Sequence, residues 1–193
     1  MTTPNPAAAA LPSPVPQPVA SPSAAPPPAA DPPLLAGERE SLDAWLEYFR
    51  AAVLRKIDGL SPEQLARRPI PPSPLSPLGL VRHLGTVEAY WLREVLWDDE
   101  QPDPYCAPEN PDGDHLDGTA ESAPEDLEIY RAQVAAAREA QAEWEDLDLP
   151  VRGDRGGAEV NLRWILTHLI EEYARHLGHL DLLCEVIDGR TGE

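Results

Sequence analysis

An all-α fold, a four-helix bundle, is what this sequence predicts, and three observations predict it. Four segments of about 20–27 residues carry apolar side chains at three- and four-residue steps. Cap and breaker residues stand at the segment ends. No segment alternates apolar and polar residues as a half-buried strand does. Four amphipathic helices of that length can bury one shared core.

The first helix is expected from about Gly37 to Leu60, with Leu42, Trp45, Leu46, Phe49, Val53 and Ile57 on its apolar face. Gly59 lies near its end, where a C-terminal glycine is common. Ser61-Pro62-Glu63-Gln64 then reads as a cap, a proline in the first turn and a short helical turn, stopped by Pro69, Pro71, Pro72 and Pro74. The second helix opens at Ser76-Pro77 and runs to about Trp97, with Leu80, His83, Leu84, Val87, Trp91 and Val95 as its stripe. Acidic, Pro-rich sequence from Asp98 to Ser122 is expected to be loop. The third helix starts around Ala123-Pro124-Glu125 and ends near Asp146, and Leu127, Tyr130, Val134, Ala137 and Trp144 share its face. A Gly- and charge-rich connection, Asp148 to Val160, leads to the fourth helix, from Asn161 to about Asp188-Gly189.

The short link between helices one and two makes them antiparallel neighbours. The link between helices two and three, about 25 residues, could span roughly 80 Å when extended. A 22-residue helix is only about 33 Å long. Helices two and three can therefore run parallel, and a connection of that length is uncommon without a purpose.

Residues 1–36 stand apart as a Pro/Ala-rich leader. Positions 1–34 hold 12 of the 24 prolines and one charged side chain, Asp31. Such a stretch cannot bury a core and is expected to be disordered, leaving 37–193 as the bundle. It lacks the basic start of a signal peptide. No apolar run is long enough to span a membrane.

The formal charge is −19, from 15 basic and 34 acidic side chains. A field of that sign repels phosphate backbones, so nucleic acid is excluded as a partner class. The two cysteines, Cys106 and Cys184, have neither metal-site nor redox spacing. A reduced, cytoplasmic protein, monomeric or homodimeric, is the expectation.

The candidate site is in the last helix. Ile165, Leu169, Glu172, His176, Leu180 and Leu183 follow three- and four-residue steps, so they share one face. Glu172 and His176 thus put two ionisable groups into a core stripe, which costs free energy unless they have partners. A carboxylate and an imidazole four residues apart can bind one metal ion. His83 lies beside the stripe of helix two. Packing the two faces brings their axes within about 8–10 Å, close enough for His83, Glu172 and His176 to reach one ion. Two imidazoles and one carboxylate suit Zn²⁺, with Ni²⁺, Fe²⁺ or Mn²⁺ as other occupants. His168, four residues before Glu172, and His179, three after His176, can replace a ligand or support one. His115, between acids in the long loop, is expected to be solvated. Arg50, Arg82, Arg163 and Arg175 can supply local positive charge, but read more simply as surface or ion-pair residues.

These residues also carry a resemblance. Leu78-Gly-Leu-Val-Arg-His83-Leu84 with Trp91, the run from Asn161 to His179, Leu54 to Ser61, and the terminal Ile187-Asp-Gly-Arg-Thr-Gly192 occur in order. Over residues 38–192 the chain resembles an actinobacterial branch of the DinB-like superfamily. The resemblance implies a bundle of up-down-down-up topology with a metal triad. Many members use three histidines. Glu172 in the middle position departs from that pattern and is similar to the His-Glu-His zinc site of mycothiol-dependent maleylpyruvate isomerase. Bacillithiol-dependent thiol transferases belong to the same superfamily.

Two functions are therefore expected to compete. One is a metal-dependent S-transferase or isomerase that joins a low-molecular-weight thiol, mycothiol where the host makes it, to a small electrophile. His179, Tyr90 and His168 are its candidates for proton transfer or support of the ligands. The other is a metal-binding interaction or stress-response bundle without turnover, in which the ion joins helices two and four.

Overall fold

The computed structural model describes residues 31–191, so most of the proline-rich leader and its expected disorder lie outside the described residues. Six helices form: α1 (Glu38–Ile57), α2 (Pro62–Ala66), α3 (Pro77–Ala89), α4 (Gly113–Leu116), α5 (Ala123–Ala142) and α6 (Leu162–Asp188). A π-helical segment, Tyr90–Val95, continues α3. No strand occurs among the described residues, nor any helix long and apolar enough to cross a membrane.

The helix ends obey local chemistry. Ser61 and Gln64 form a reciprocal capping box at α2. Ser76 caps α3 through Gly79 N–H, and Asn161 caps α6 through Trp164 N–H. Gly189 closes α6 in the left-handed conformation, φ 79°, which favours a residue without Cβ. The Arg39 guanidinium donates to the carbonyls of Gln141 and Trp144, so α5 stops before the expected Asp146.

Cross-helix pairs give the directions of α1, α3, α5 and α6. Arg163 pairs with Glu38 and Lys56 with Asp181, so α1 and α6 are parallel. Arg82 pairs with Asp126, and the Trp97 indole donates to Ala140, so α3 and α5 are parallel. Arg39 reaches the end of α5 while Glu47 meets Arg138, which makes α1 and α5 antiparallel. Leu46 and Val53 of α1, Leu80, Leu84 and Leu92, Val134 and Ala137 of α5, and Ile165, Leu169 and Leu180 of α6 fill the shared core. Trp45, expected in that core, is 43 % exposed and packs on Tyr48 and Phe49 instead.

Two departures from the sequence reading shape the site. The loop between helices two and three is not structureless: it folds the turn α4 against α3. The second helix is not α-helical to Trp97, because it loosens into the π segment at Tyr90. There the α5–α6 connection docks, with Gly153 N–H on the Val95 carbonyl at 2.9 Å and Arg152 N–H on that of Leu96 at 3.2 Å.

Candidate metal centre

Antiparallel packing of α3 and α6 sets His83 opposite Glu172 and His176. The His83 Nε2 to Glu172 Oε2 distance is 3.9 Å, and that from His176 Nε2 to the same oxygen is 3.3 Å. One ligand atom from each of the three residues lies within 4.8 Å of the others. In a tetrahedral site with bonds of about 2.0–2.1 Å, ligand atoms sit roughly 3.4 Å apart, so the donor set fits one ion. His83 is 23 % exposed, Glu172 14 % and His176 10 %, which leaves the cluster open on one side.

The electrostatics also favour a cation. Burial, with His83, His179 and His115 beside it, pushes His176 down to about 3 and leaves a neutral imidazole with a lone pair. His83 Nδ1 lies 2.7 Å from Asp114 Oδ2. Burial works to raise the Asp114 carboxyl, but the His83 bond and the imidazoles of His115 and His83 outweigh it and hold it below the usual carboxylate range. An ionised Asp114 requires a donor, so His83 Nδ1 carries a proton toward it, and Nε2 is the ring atom on the Glu172 side. A carboxylate that fixes the tautomer of a ligating histidine in this way is a recurrent feature of metal sites.

Asp114 and His115 are the residues that sequence reasoning missed. Contrary to the expectation of a solvated side chain, the His115 ring stacks on His83 with centroids 4.3 Å apart and lies 6.1 Å from His176. Its Nδ1 is buried without a hydrogen-bond partner. The reason is Arg82, the neighbour of His83. Its guanidinium donates to the Gly113 carbonyl and to Asp126, and it stacks on Tyr105 at 3.9 Å, which latches α4 onto α3. The one available signal was the length of the loop. Gly79 permits the close approach: a Cβ there would sit 2.5 Å from the His115 carbonyl oxygen. Gly79→Ala is therefore expected to push α4 off α3 and weaken Zn²⁺ binding by roughly tenfold, the scale seen when support of a ligand is lost. Competition with a chromophoric chelator measures it, and unchanged affinity would show that α4 does not support the site.

The remaining candidates flank the cluster. His168 Nε2 lies 3.5 Å from the other Glu172 oxygen, Oε1, with its ring packed against both Trp91 and Trp164, which also touch each other. His179 Nδ1 is 3.4 Å from His176 Nδ1. Both touch a member of the triad, and His168 with Glu171 and Glu172 forms a further group whose ligand atoms lie within 4.8 Å of one another. Tyr90 packs edge-on against Trp91 at 5.0 Å. Arg50, Arg82, Arg163 and Arg175 are all spent on acidic partners: Glu88, Asp126, Glu38 with Asp148, and Glu171. Cys106 and Cys184 are free thiols, each pushed up by burial.

A family model described as Mycothiol-S-transferase matches residues 41–189. No curated protein matches the chain.

Proposed function

The chain belongs to the mycothiol S-transferase family, within the DinB-like superfamily, and we propose that it is a metal-dependent enzyme that transfers a mycothiol-type thiol to a small electrophile. His83, Glu172 and His176 hold one divalent cation, Zn²⁺ by preference for two imidazoles and one carboxylate. The observation that carries this reading is the convergence of three lone-pair donors from two helices, with one imidazole oriented by a buried carboxylate.

Once bound, the ion supplies a thiolate at neutral pH by lowering the pKa of a coordinated thiol. The chain's own residues do the rest. Asp114 keeps the proton on His83 Nδ1, so that Nε2 remains a ligand. His168 bears on the second oxygen of Glu172 and limits the carboxylate to one face. The rings of Trp91, Trp164 and His115 screen the site from bulk water on its apolar sides. In the overall reaction an S–H bond is exchanged for an S–C bond, and the proton leaves with the displaced group or joins the adjacent carbon. No protein nucleophile is needed, in keeping with two thiols that burial holds protonated.

Three protein ligands and a partly exposed cluster favour turnover over a purely structural ion, which is normally closed by four. The test is conjugation of mycothiol to a fluorogenic haloalkyl compound. Zn²⁺-loaded protein is expected to accelerate product formation, chelator-stripped protein to lose the acceleration, and added Zn²⁺ to restore it. A rate equal to that of thiol and electrophile alone, with metal demonstrably bound, sinks the enzyme and leaves the metal-binding bundle.

A further inference from the structure

Glu172 presents its two oxygens to two different sets of donors. Oε2 faces the triad, 3.3 Å from His176 Nε2 and 3.9 Å from His83 Nε2. Oε1 is turned toward the preceding turn of α6 and lies 3.5 Å from His168 Nε2. His168, Glu172 and His176 follow one another at four-residue steps, so the carboxylate stands between two imidazoles, one helical turn to either side. Glu171 completes the second set. Its Oε2 lies 3.5 Å from His168 Nδ1, and its Oε1 is held by Arg175. One ligand atom each from His168, Glu171 and Glu172 lies within 4.8 Å of the others.

These separations are those of ligands around a cation. Ligand atoms with bonds of about 2.0–2.1 Å to a tetrahedral ion sit roughly 3.4 Å apart, whereas a charge-assisted N–H···O bond closes to about 2.7–2.9 Å. Exposed acidic side chains alone would carry no such reading. Here Glu172 is 14 % and His168 21 % exposed, so two of the three donors are withdrawn from solvent, where a polar atom needs a partner. The His168 ring stacks on Trp164 at 5.0 Å and meets Trp91 edge-on at 4.9 Å. A donor already held by its neighbours loses little freedom when it binds.

We infer that the chain has a second cation site, held by His168, Glu171 and Glu172, and that the Glu172 carboxylate bridges the two ions. The inference rests on the triad as the first cation site and not on thiol transfer. One imidazole and two carboxylates make a harder donor set than the triad, which suits Mn²⁺ as well as Zn²⁺. The second site is the weaker one. Glu171 is 44 % exposed and shares its charge with Arg175, and the second ion enters beside a first of the same sign. It is therefore lost during purification and regained on titration.

The test is equilibrium dialysis of the chelator-stripped full chain against increasing Zn²⁺, with bound metal counted by elemental analysis. Two equivalents are expected, the second weaker than the first. Glu171→Ala and His168→Gln should each lose the second equivalent and keep the first, and the Glu171 side chain is exposed enough for its variant to stay folded. Glu172→Ala should weaken both equivalents, the mark of a shared ligand. A wild type that saturates at one equivalent overturns the site. So does a second equivalent that survives both single variants, as it would if His83, Asp114 and His115 held the ion. A Glu172→Ala variant that keeps either equivalent at full affinity overturns the bridge. Mycothiol consumption keeps this inference apart from the thiol-transfer reading. Two bound equivalents without turnover remove the transferase and leave the second site standing. Turnover by a protein that binds one equivalent does the reverse.

Discussion

Replacement of Glu172 and His176 together by alanine is expected to abolish metal binding while leaving the bundle folded. Of the three donor side chains, only His83 then remains, and in the second group that it could form, with Asp114 and His115, its Nδ1 and the Asp114 Oδ2 are already bound to each other at 2.7 Å. The fold should survive because both side chains lie where the core opens, 14 % and 10 % exposed, with Leu169, Tyr173 and Leu180 still packed on either side. Removing the carboxylate and imidazole also removes polar groups whose burial opposes folding in the apo protein, which offsets part of the lost packing. The larger difference is in linkage. An ion that binds only the native state at 1,000 times its Kd adds about 4 kcal/mol to stability. Elemental analysis should find near-stoichiometric metal in the wild type and none in the double variant. Thermal unfolding should rise on adding Zn²⁺ in the first and stay fixed in the second. Equal metal in both proteins, or an equal Zn²⁺-dependent rise, would show that the ion sits elsewhere.

The legible part of this site was the part written along one helix. Glu172 and His176 interrupt an apolar stripe of fixed period, so the anomaly is visible without knowing what α6 packs against. His83 was readable for the same reason, at one remove, because two stripes that each carry an imidazole must face a common core. Asp114 and His115 were not readable, since their place depends on Arg82 reaching across 31 residues to the Gly113 carbonyl. A side chain that anchors a distant backbone leaves no period in the sequence. Trp45 failed for a different reason. An apolar residue at the margin of a stripe can satisfy itself against its own helix neighbours, here Tyr48 and Phe49, and remain exposed. The same limit hid the polar network inside the bundle, whose members come from α1, α3, α5 and α6.

That network carries the second large prediction, Glu88→Ala. Glu88 is fully buried and holds Arg50, 1 % exposed, through two bonds of 2.7 and 2.6 Å. The Tyr173 hydroxyl donates to Glu88 at 2.7 Å and lies 3.2 Å from that of Tyr130. Loss of the carboxylate strands a guanidinium in the core with Glu47 on its rim as the remaining acid, and is expected to destabilise by about 3–5 kcal/mol in urea unfolding. The paired variant Arg50→Met, Glu88→Leu removes both charges and should recover most of that loss, since apolar replacement of a whole buried pair is often neutral or stabilising. What the pair contributes beyond stability is register. Tyr173 is the next residue after Glu172, so the bond that ties it to α3 also fixes how α6 is turned toward His83. The recovered variant should therefore bind Zn²⁺ more weakly than wild type despite its stability. Full affinity in that variant would mean that apolar packing alone sets the rotation of α6, and that the buried charges are unrelated to the metal site.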